Sequence, residues 1–320
     1  MKIVIVTPEA LTSTLGNAVT ANRWAEILRK LGHEVVLTRQ WFQGVNDDCD
    51  VLVGLHARRS YPSIERFRKA LPGCPLILAL TGTDLYKDLP ESNQEAQQSL
   101  VQADRIVALQ DAAFESLPEA VRPKVSVIYQ SAVAPPNPRK PREDCFEVCV
   151  LSHLRDVKDP LCAARASRYL GAKSRVRIVH AGRALSSDWE EMAREEEAKN
   201  QRYVWLGDQT HDEAMQLLSG SRLLVLSSLM EGGASVIAEA VVCGVPVLCS
   251  RIPGNIGMIG PDYPGYFPSR DHLRLREKLR MAEMEPGFVE TLRQRIVALQ
   301  PRFSPDEEHA SWSRLLASLC

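Results

Sequence analysis

The chain has 320 residues, enough for two domains of ordinary size, and is 45% hydrophobic and 25% charged. Its 39 basic and 40 acidic residues leave a net charge of −1, so it carries no basic field to hold a nucleic acid. The longest apolar runs are strand-sized, which argues against membrane contact. Eight cysteines are scattered, with no Cys-x-x-Cys pair and no Cys/His metal spacing, and the first residues offer neither a cationic leader nor a cleavage site. A cytoplasmic setting is the expectation.

Strands alternate with helical patterns along the chain, the signature of parallel α/β sheets. MKIVIVTP opens as a strand, and residues 18–31 follow as a helix on the spacing of Ala21, Trp24, Ala25, Leu28 and Leu31, stopped by Gly32. EVVLT, DVLVGL, PLILALTG, the second half of SLVQADRIVALQ, and KVSVIYQS read as further strands. Residues 134–144 hold four prolines and almost nothing apolar, which reads as a linker. Alternation then restarts through FEVCVLSH, DPLCAARASRYLG, VRIVHAG, RYVWLGD, DEAMQLLSG, SRLLVLSS, SVIAEAVVCG and VPVLCS, and 303–320 forms a capped amphipathic helix after Ser304-Pro305. The expected domains are 1–138, 145–302 and a C-terminal helix over 303–320. Two α/β halves joined in this way imply a ligand cleft between the carboxyl ends of two sheets.

SSLMEGGASVIAEAVVCGVPV, residues 227–247, carries the strongest chemical signal. A buried strand runs into a loop with Glu231, Gly232 and Gly233, and a helix from Ala234 onward carries Glu239 before Gly244-Val245-Pro246 turns into the next strand. Glycines at a helix start let open backbone N–H groups approach an anion such as a diphosphate. Carboxylates suit sugar hydroxyls because they accept paired hydrogen bonds. In LSHLRDVKDP, Arg155 and Lys158 sit three residues apart on a turn after a strand, placed to clamp a diphosphate and neutralise a leaving group. Solvated turn charges are the plainer alternative for these residues. No G-x-G-x-x-G follows a strand, which counts against a nicotinamide or flavin enzyme. Asp48-Cys49-Asp50 precedes its strand instead of ending it and reads as an acidic loop, so no metal is expected. No cofactor is expected either.

The Glu-x7-Glu spacing followed by Glu-Ala and Gly-x-Pro-Val resembles the retaining GT-B glycosyltransferases of family 4. That resemblance implies two Rossmann-like domains facing across a cleft, with the C-terminal helix a candidate to pack back on the N-terminal domain. It further implies Arg155 and Lys158 on the donor diphosphate and Glu231, with those two cations, in the catalytic set. Gly232, Gly233, Ala234 and Glu239 would hold diphosphate and ribose, and Gly182, Arg183 and Leu206 the base of a UDP-sugar substrate. Gly16-Asn17 matches the glycine loop that family members lay across donor phosphates and acceptor.

A narrower likeness rests on LHARRS, LTGTDLYKDL, ADRIVALQ, VIYQSA, LRDVKDP, MEGGASVIAEAV and SRIPGNIGMIGPDYPGYFP. Together they are similar to the selenosugar synthases of selenoneine biosynthesis, over residues 1 to about 268. Those enzymes join selenophosphate to a UDP-sugar, typically UDP-N-acetylglucosamine. Thr81-Gly82 stands where family 4 usually has His-Gly, and Arg58 and Arg59 lack a counterpart in most sugar-acceptor members. The resemblance suggests an acceptor site of Gly16, Asn17, His56, Arg58, Arg59, Thr81 and Thr83, with support of a loop as the alternative role for the His-Arg cluster. A family 4 transferase with a hydroxyl acceptor, a UDP-sugar 2-epimerase and a nucleotide-sensing module without turnover remain the competing functions.

Overall fold

A computed structural model describes residues 1–11 and 16–319. The chain divides into two compact units, one formed by Met1–Gln130 with the chain from Asp306 on, the other by Ser131–Pro305. The break at Gln130 precedes the proline-rich stretch. That stretch is fastened to the second unit, where Arg139 N–H donates to Ser219 Oγ at 3.2 Å and Gln216 Nε2 to Asn137 O at 3.0 Å.

In the first unit the order is β1 (Lys2–Val6), α1 (Gly16–Lys30), β2 (Glu34–Thr38), β3 (Val51–Leu55), α2 (Tyr61–Ala70), β4 (Leu76–Ala79), α3 (Gln94–Gln102), β5 (Arg105–Ala108) and β6 (Val125–Val127). All six strands are parallel, in the order β2-β1-β3-β4-β5-β6. Parallel sheets bury both faces, and the period of two is visible in β1: Ile3 and Ile5 join one core while Val4 and Val6 join the other. The α1 face of Ala21, Trp24, Ala25 and Leu28 packs with the first core, and Ile64 and Phe67 of α2 with the second. The sequence reading overlooked α2, whose YPSIERFRKA buries only Ser63, Ile64 and Phe67. Three inward residues among so many charges leave too little apolar periodicity to see.

The second unit runs β7 (Phe146–Leu151), α4 (Cys162–Arg168), β8 (Val176–Ala181), α5 (Ser187–Lys199), β9 (Tyr203–Trp205), α6 (His211–Ser219), β10 (Leu223–Leu226), α7 (Ser235–Cys243), β11 (Val247–Ser250), α8 (Pro253–Ile259), β12 (Tyr266–Phe267), α9 (His272–Met284) and α10 (Pro286–Val297). Its parallel sheet has the order β12-β11-β10-β7-β8-β9. The chain fills one side of β7 and then returns to fill the other, so β7 and β10 are neighbours at the point where the winding reverses. In the first unit the same reversal falls between β1 and β3. Loops leave such a point in opposite directions and open a crevice at the carboxyl ends of the strands, the place where open α/β sheets bind ligands.

The last helix, α11 (Pro305–Ala317), belongs to the first unit from Asp306 on. Its buried Trp312 meets Trp24 of α1 edge to face, with ring centroids 4.9 Å apart, and Trp24 Nε1 donates to the buried Glu308 at 3.1 Å. Among the described residues no helix is long and apolar enough to cross a membrane.

Candidate functional site

The crevice of the second unit is built by the turns after β7, β8, β9 and β10. Close backbone approach comes first. A Cβ on Gly182 would lie 1.9 Å from Ser152 O and 2.9 Å from His153 N, so only glycine lets the turn after β8 close against the turn after β7. His180 beneath it is fully buried, donating from Nε2 to Ser152 O at 2.9 Å while Nδ1 accepts the Tyr203 hydroxyl at 2.9 Å. Burial pushes this imidazole down to about 4, against the support of Ser152 O, so it is a neutral strut. Gly182 O in turn accepts Trp205 Nε1 at 2.8 Å, and Gly182 N–H donates to Gly207 O at 2.8 Å. Gly182, Arg183, Leu206 and Gly207 are thereby laced into one platform, on which Leu206 is 43% exposed.

The turns after β7 and β10 are tied next. Leu229 N–H donates to Val157 O at 2.8 Å, and Ser227 Oγ to Asp159 O at 2.8 Å. These bonds bring Lys158 Nζ to 2.5 Å from Glu231 Oε1, with side chains 18% and 10% exposed. The two residues the sequence assigned to diphosphate and sugar thus contact each other. Arg155, by contrast, is exposed. Behind Glu231, a Cβ on Gly254 would meet Glu231 O at 2.0 Å, so glycine again sets how closely α8 seats against this loop. Gly232 and Ala234 are buried and Gly233 half-buried just ahead of α7, whose first N–H groups have no partner within the helix. One turn along, Glu239 has a 15% exposed side chain with His211 Nδ1 4.0 Å from its Oε1.

His153 was passed over in the sequence although it lies inside LSHLRDVKDP. Its Nδ1 accepts the Arg183 N–H at 3.2 Å, joining the β7 and β8 turns. Burial lowers its pKa, Asp208 opposes that, and the cations Arg183, Arg155 and Lys158 add to it. The crevice thus sets the cations Arg155, Lys158 and Arg183 among the carboxylates Glu231, Glu239 and Asp208, with Lys158 paired to Glu231.

The first unit places its candidates at the other reversal point. His56, immediately after β3, is fully buried and holds a left-handed φ of 74°, which is uncommon for a side-chain-bearing residue and concentrates at functional turns. The strain is held by Asp84, a buried carboxylate that accepts Ala57 N–H, Thr81 N–H and Thr81 Oγ1, each at 2.8 Å, and Leu85 N–H at 3.0 Å. Asp84 opens a single π turn over Asp84–Asp88, a rare local form that also occurs often at functional sites. Thr83 Oγ1 lies 3.3 Å from His56 Nε2, and Asp88 Oδ2 3.9 Å from the same nitrogen. Burial lowers the His56 pKa, with Asp84 and Asp88 opposing and Arg59 and Arg58 assisting.

Neither arginine of LHARRS stands alone. Arg58 Nε donates to Asp88 at 2.9 Å, and Arg59 Nη1 donates to Glu9 Oε1 at 2.9 Å. Asp84 is visible in the sequence at the LTGTDLY strand tip, together with Thr81 and Thr83; Glu9 and Asp88 are the members of this cluster that the sequence reading missed. Gly16 and Asn17 lie in the first turn of α1, while residues 12–15 lie outside the described residues. Asp48 and Asp50 are occupied by Lys2, whose Nζ and backbone N–H donate to them at 2.7 Å at the amino end of β1.

Comparison with known proteins gives three findings. The sequence profile of the family described as "Glycosyl transferases group 1" matches residues 136–296. A curated relative, the phosphatidylinositol N-acetylglucosaminyltransferase gpi3 subunit of Schizosaccharomyces pombe, is 31% identical over 156 residues, which cover 47% of this chain. The match spans 34%, about a third, of that relative's length. Among solved structures, Anabaena HepE in complex with UDP-glucose superposes with a TM-score of 0.76 at 16% identity, covering 99% of this chain and 100% of that one. Sucrose-phosphate synthase from Thermosynechococcus elongatus gives 0.73 at 16% identity, covering 99% and 98%. These likenesses, with the two six-stranded parallel sheets, establish the GT-B fold of two Rossmann-like units.

Proposed function

Because this chain belongs to the glycosyl transferases group 1 family, we propose that it transfers a sugar from a UDP-sugar bound at the β7/β10 crevice. The observation that carries the reading is the union, at that reversal point, of Lys158 and Glu231 with Arg155, the Gly232-Gly233 backbone and Glu239. Arg155, Lys158 and the amides at the start of α7 receive the diphosphate. Glu239 takes the ribose, Glu231 the hexose, and the Gly182-Arg183 and Leu206 platform the uracil. Breaking the bond from anomeric carbon to phosphate oxygen leaves the electron pair on UDP, and the two cations neutralise that growing charge.

The finer reading is that the sugar is N-acetylglucosamine and the acceptor selenophosphate, so that a selenium–carbon bond forms at the anomeric centre. The relative named as an N-acetylglucosaminyltransferase subunit supports the sugar. Arg58 and Arg59 at the β3 end, with His56, Thr81, Thr83, Gly16 and Asn17, support an acceptor carrying phosphate. Selenium of selenophosphate is already anionic, so the step needs no strong general base. A hydroxyl acceptor is the second reading, favoured by the carboxylates that already occupy both arginines. Mixing the protein with UDP-N-acetylglucosamine and either selenophosphate or a panel of alcohols, and following UDP release with product mass, separates them. A selenium-containing product with release of UDP is expected. Release only with alcohols refutes the selenophosphate assignment, and no binding of UDP refutes the site.

A further inference from the structure

The β1/β3 reversal point holds two arginine–carboxylate pairs that differ in a way that bears on how an acceptor enters. Asp88, the partner of Arg58, is built in: its side chain is 7% exposed, it closes the π turn, and it also faces His56. Glu9, the partner of Arg59, sits on the loop after β1 with an 18% exposed side chain, and Arg59 itself is 44% exposed. The guanidiniums are alike, with Arg58 40% exposed, so the difference lies in the carboxylates: Asp88 is part of the frame and Glu9 lies at its rim. Glu9 Oε1, accepting one bond from Arg59 Nη1, puts an anionic oxygen where a phosphate oxygen would bind a guanidinium. We propose that Glu9 is an internal placeholder for an anionic acceptor: the acceptor's phosphate displaces Glu9 from Arg59, and the strength of the Glu9–Arg59 pair sets how tightly such acceptors bind. The proposal rests on the phosphate-bearing acceptor of the reading above, and it identifies Arg59, not Arg58, as the cation that is released.

Two consequences follow from elementary electrostatics. Neutralising Glu9 removes both the competitor for Arg59 and a negative charge beside the incoming anion, so affinity rises. A partly exposed pair is a weak competitor, which puts the gain at about two- to fivefold. Asp48 provides a control, because it carries the same charge in the same unit but pairs with Lys2 at the amino end of β1, the opposite edge of the sheet from Glu9.

The test is calorimetric binding of inorganic thiophosphate to the full chain with UDP present, at one ionic strength, for the wild type, Glu9→Gln, Arg59→Gln and Asp48→Asn. The proposal expects Glu9→Gln to tighten binding about two- to fivefold, Arg59→Gln to remove it, and Asp48→Asn to leave it unchanged. Thermal midpoints of Glu9→Gln and wild type within the spread of repeats show that the fold is kept. Equal tightening in Glu9→Gln and Asp48→Asn overturns the placeholder, since bulk charge then explains the effect. No tightening in Glu9→Gln, while Arg59→Gln still abolishes binding, overturns it too but leaves the anionic-acceptor reading standing. Binding by none of the four proteins sinks both.

Discussion

Replacing Lys158 by Met separates what its ammonium does for folding from what it does for chemistry. Lys158 and Glu231 touch at 2.5 Å with side chains only 18% and 10% exposed, so removing the ammonium strands a largely buried carboxylate. Breaking such a pair costs about 3 kcal/mol of stability, the lower end for buried pairs because some solvent reaches this one. If Lys158 also neutralises departing UDP, kcat/KM falls by about a hundredfold, equivalent to about 3 kcal/mol of barrier. Adding Glu231→Gln removes the stranded charge, and stability should return to within about 1 kcal/mol of the wild type, since deleting both partners is nearly neutral. Turnover should not return. Urea unfolding followed by circular dichroism measures the first quantity and UDP release the second. A Lys158→Met/Glu231→Gln protein that regains stability and also turns over like the wild type would refute the reasoning, because Lys158 would then matter only as the counter-ion of Glu231.

Three further outcomes are expected. His180, at about 4 when folded against 6.5 in a free chain, binds its proton more readily when unfolded, so its contribution is present above pH 6.5 and lost as pH falls toward 4. Between pH 7 and 4.5 that loss is about 2 kcal/mol, and His180→Gln should lose correspondingly less over the same range in urea unfolding; parallel pH profiles would refute the buried neutral ring. Gly182→Ala drives a Cβ to 1.9 Å from Ser152 O. It should cost about 1–3 kcal/mol in thermal unfolding and weaken UDP-sugar binding in calorimetry, and unchanged affinity would detach this turn from the donor. Trp312→Ala empties a fully buried site against Trp24, for which about 3–5 kcal/mol is the expected loss in urea; a loss under about 1 kcal/mol would mean that α11 contributes little to the first unit.

How much of this was legible beforehand depends on the distance over which each feature is encoded. The strands of both sheets are continuous β-branched and aliphatic runs bounded by Gly, Pro or polar turns, and that signal is local. Glu231, Gly232, Gly233 and Glu239 fall within nine residues of one strand-loop-helix passage, so their shared crevice followed from the passage itself. Helix α11 announced itself through Ser304-Pro305 and the spacing of Trp312, Leu315 and Leu316. Charged helices such as α2 and α5 were not visible, because each buries only two or three residues and their periodicity is diluted by polar ones.

By itself the sequence determined the α/β class, the repeated pattern of two sheets and the glycine-and-carboxylate passage, since each depends on neighbours in the chain. Strand order was left to the tertiary structure, and with it the reversal points that set Lys158 against Glu231 across 73 residues and Arg59 against Glu9 across 50. The same holds for the buried carboxylate of Asp84, which holds Ala57 from 27 positions away and so permits the strained turn at His56. The physical reason is that a hydrophobic pattern records which side of a strand is dry, whereas ion pairs and turn geometry depend on which strands lie side by side. That adjacency exists only once the sheets have formed.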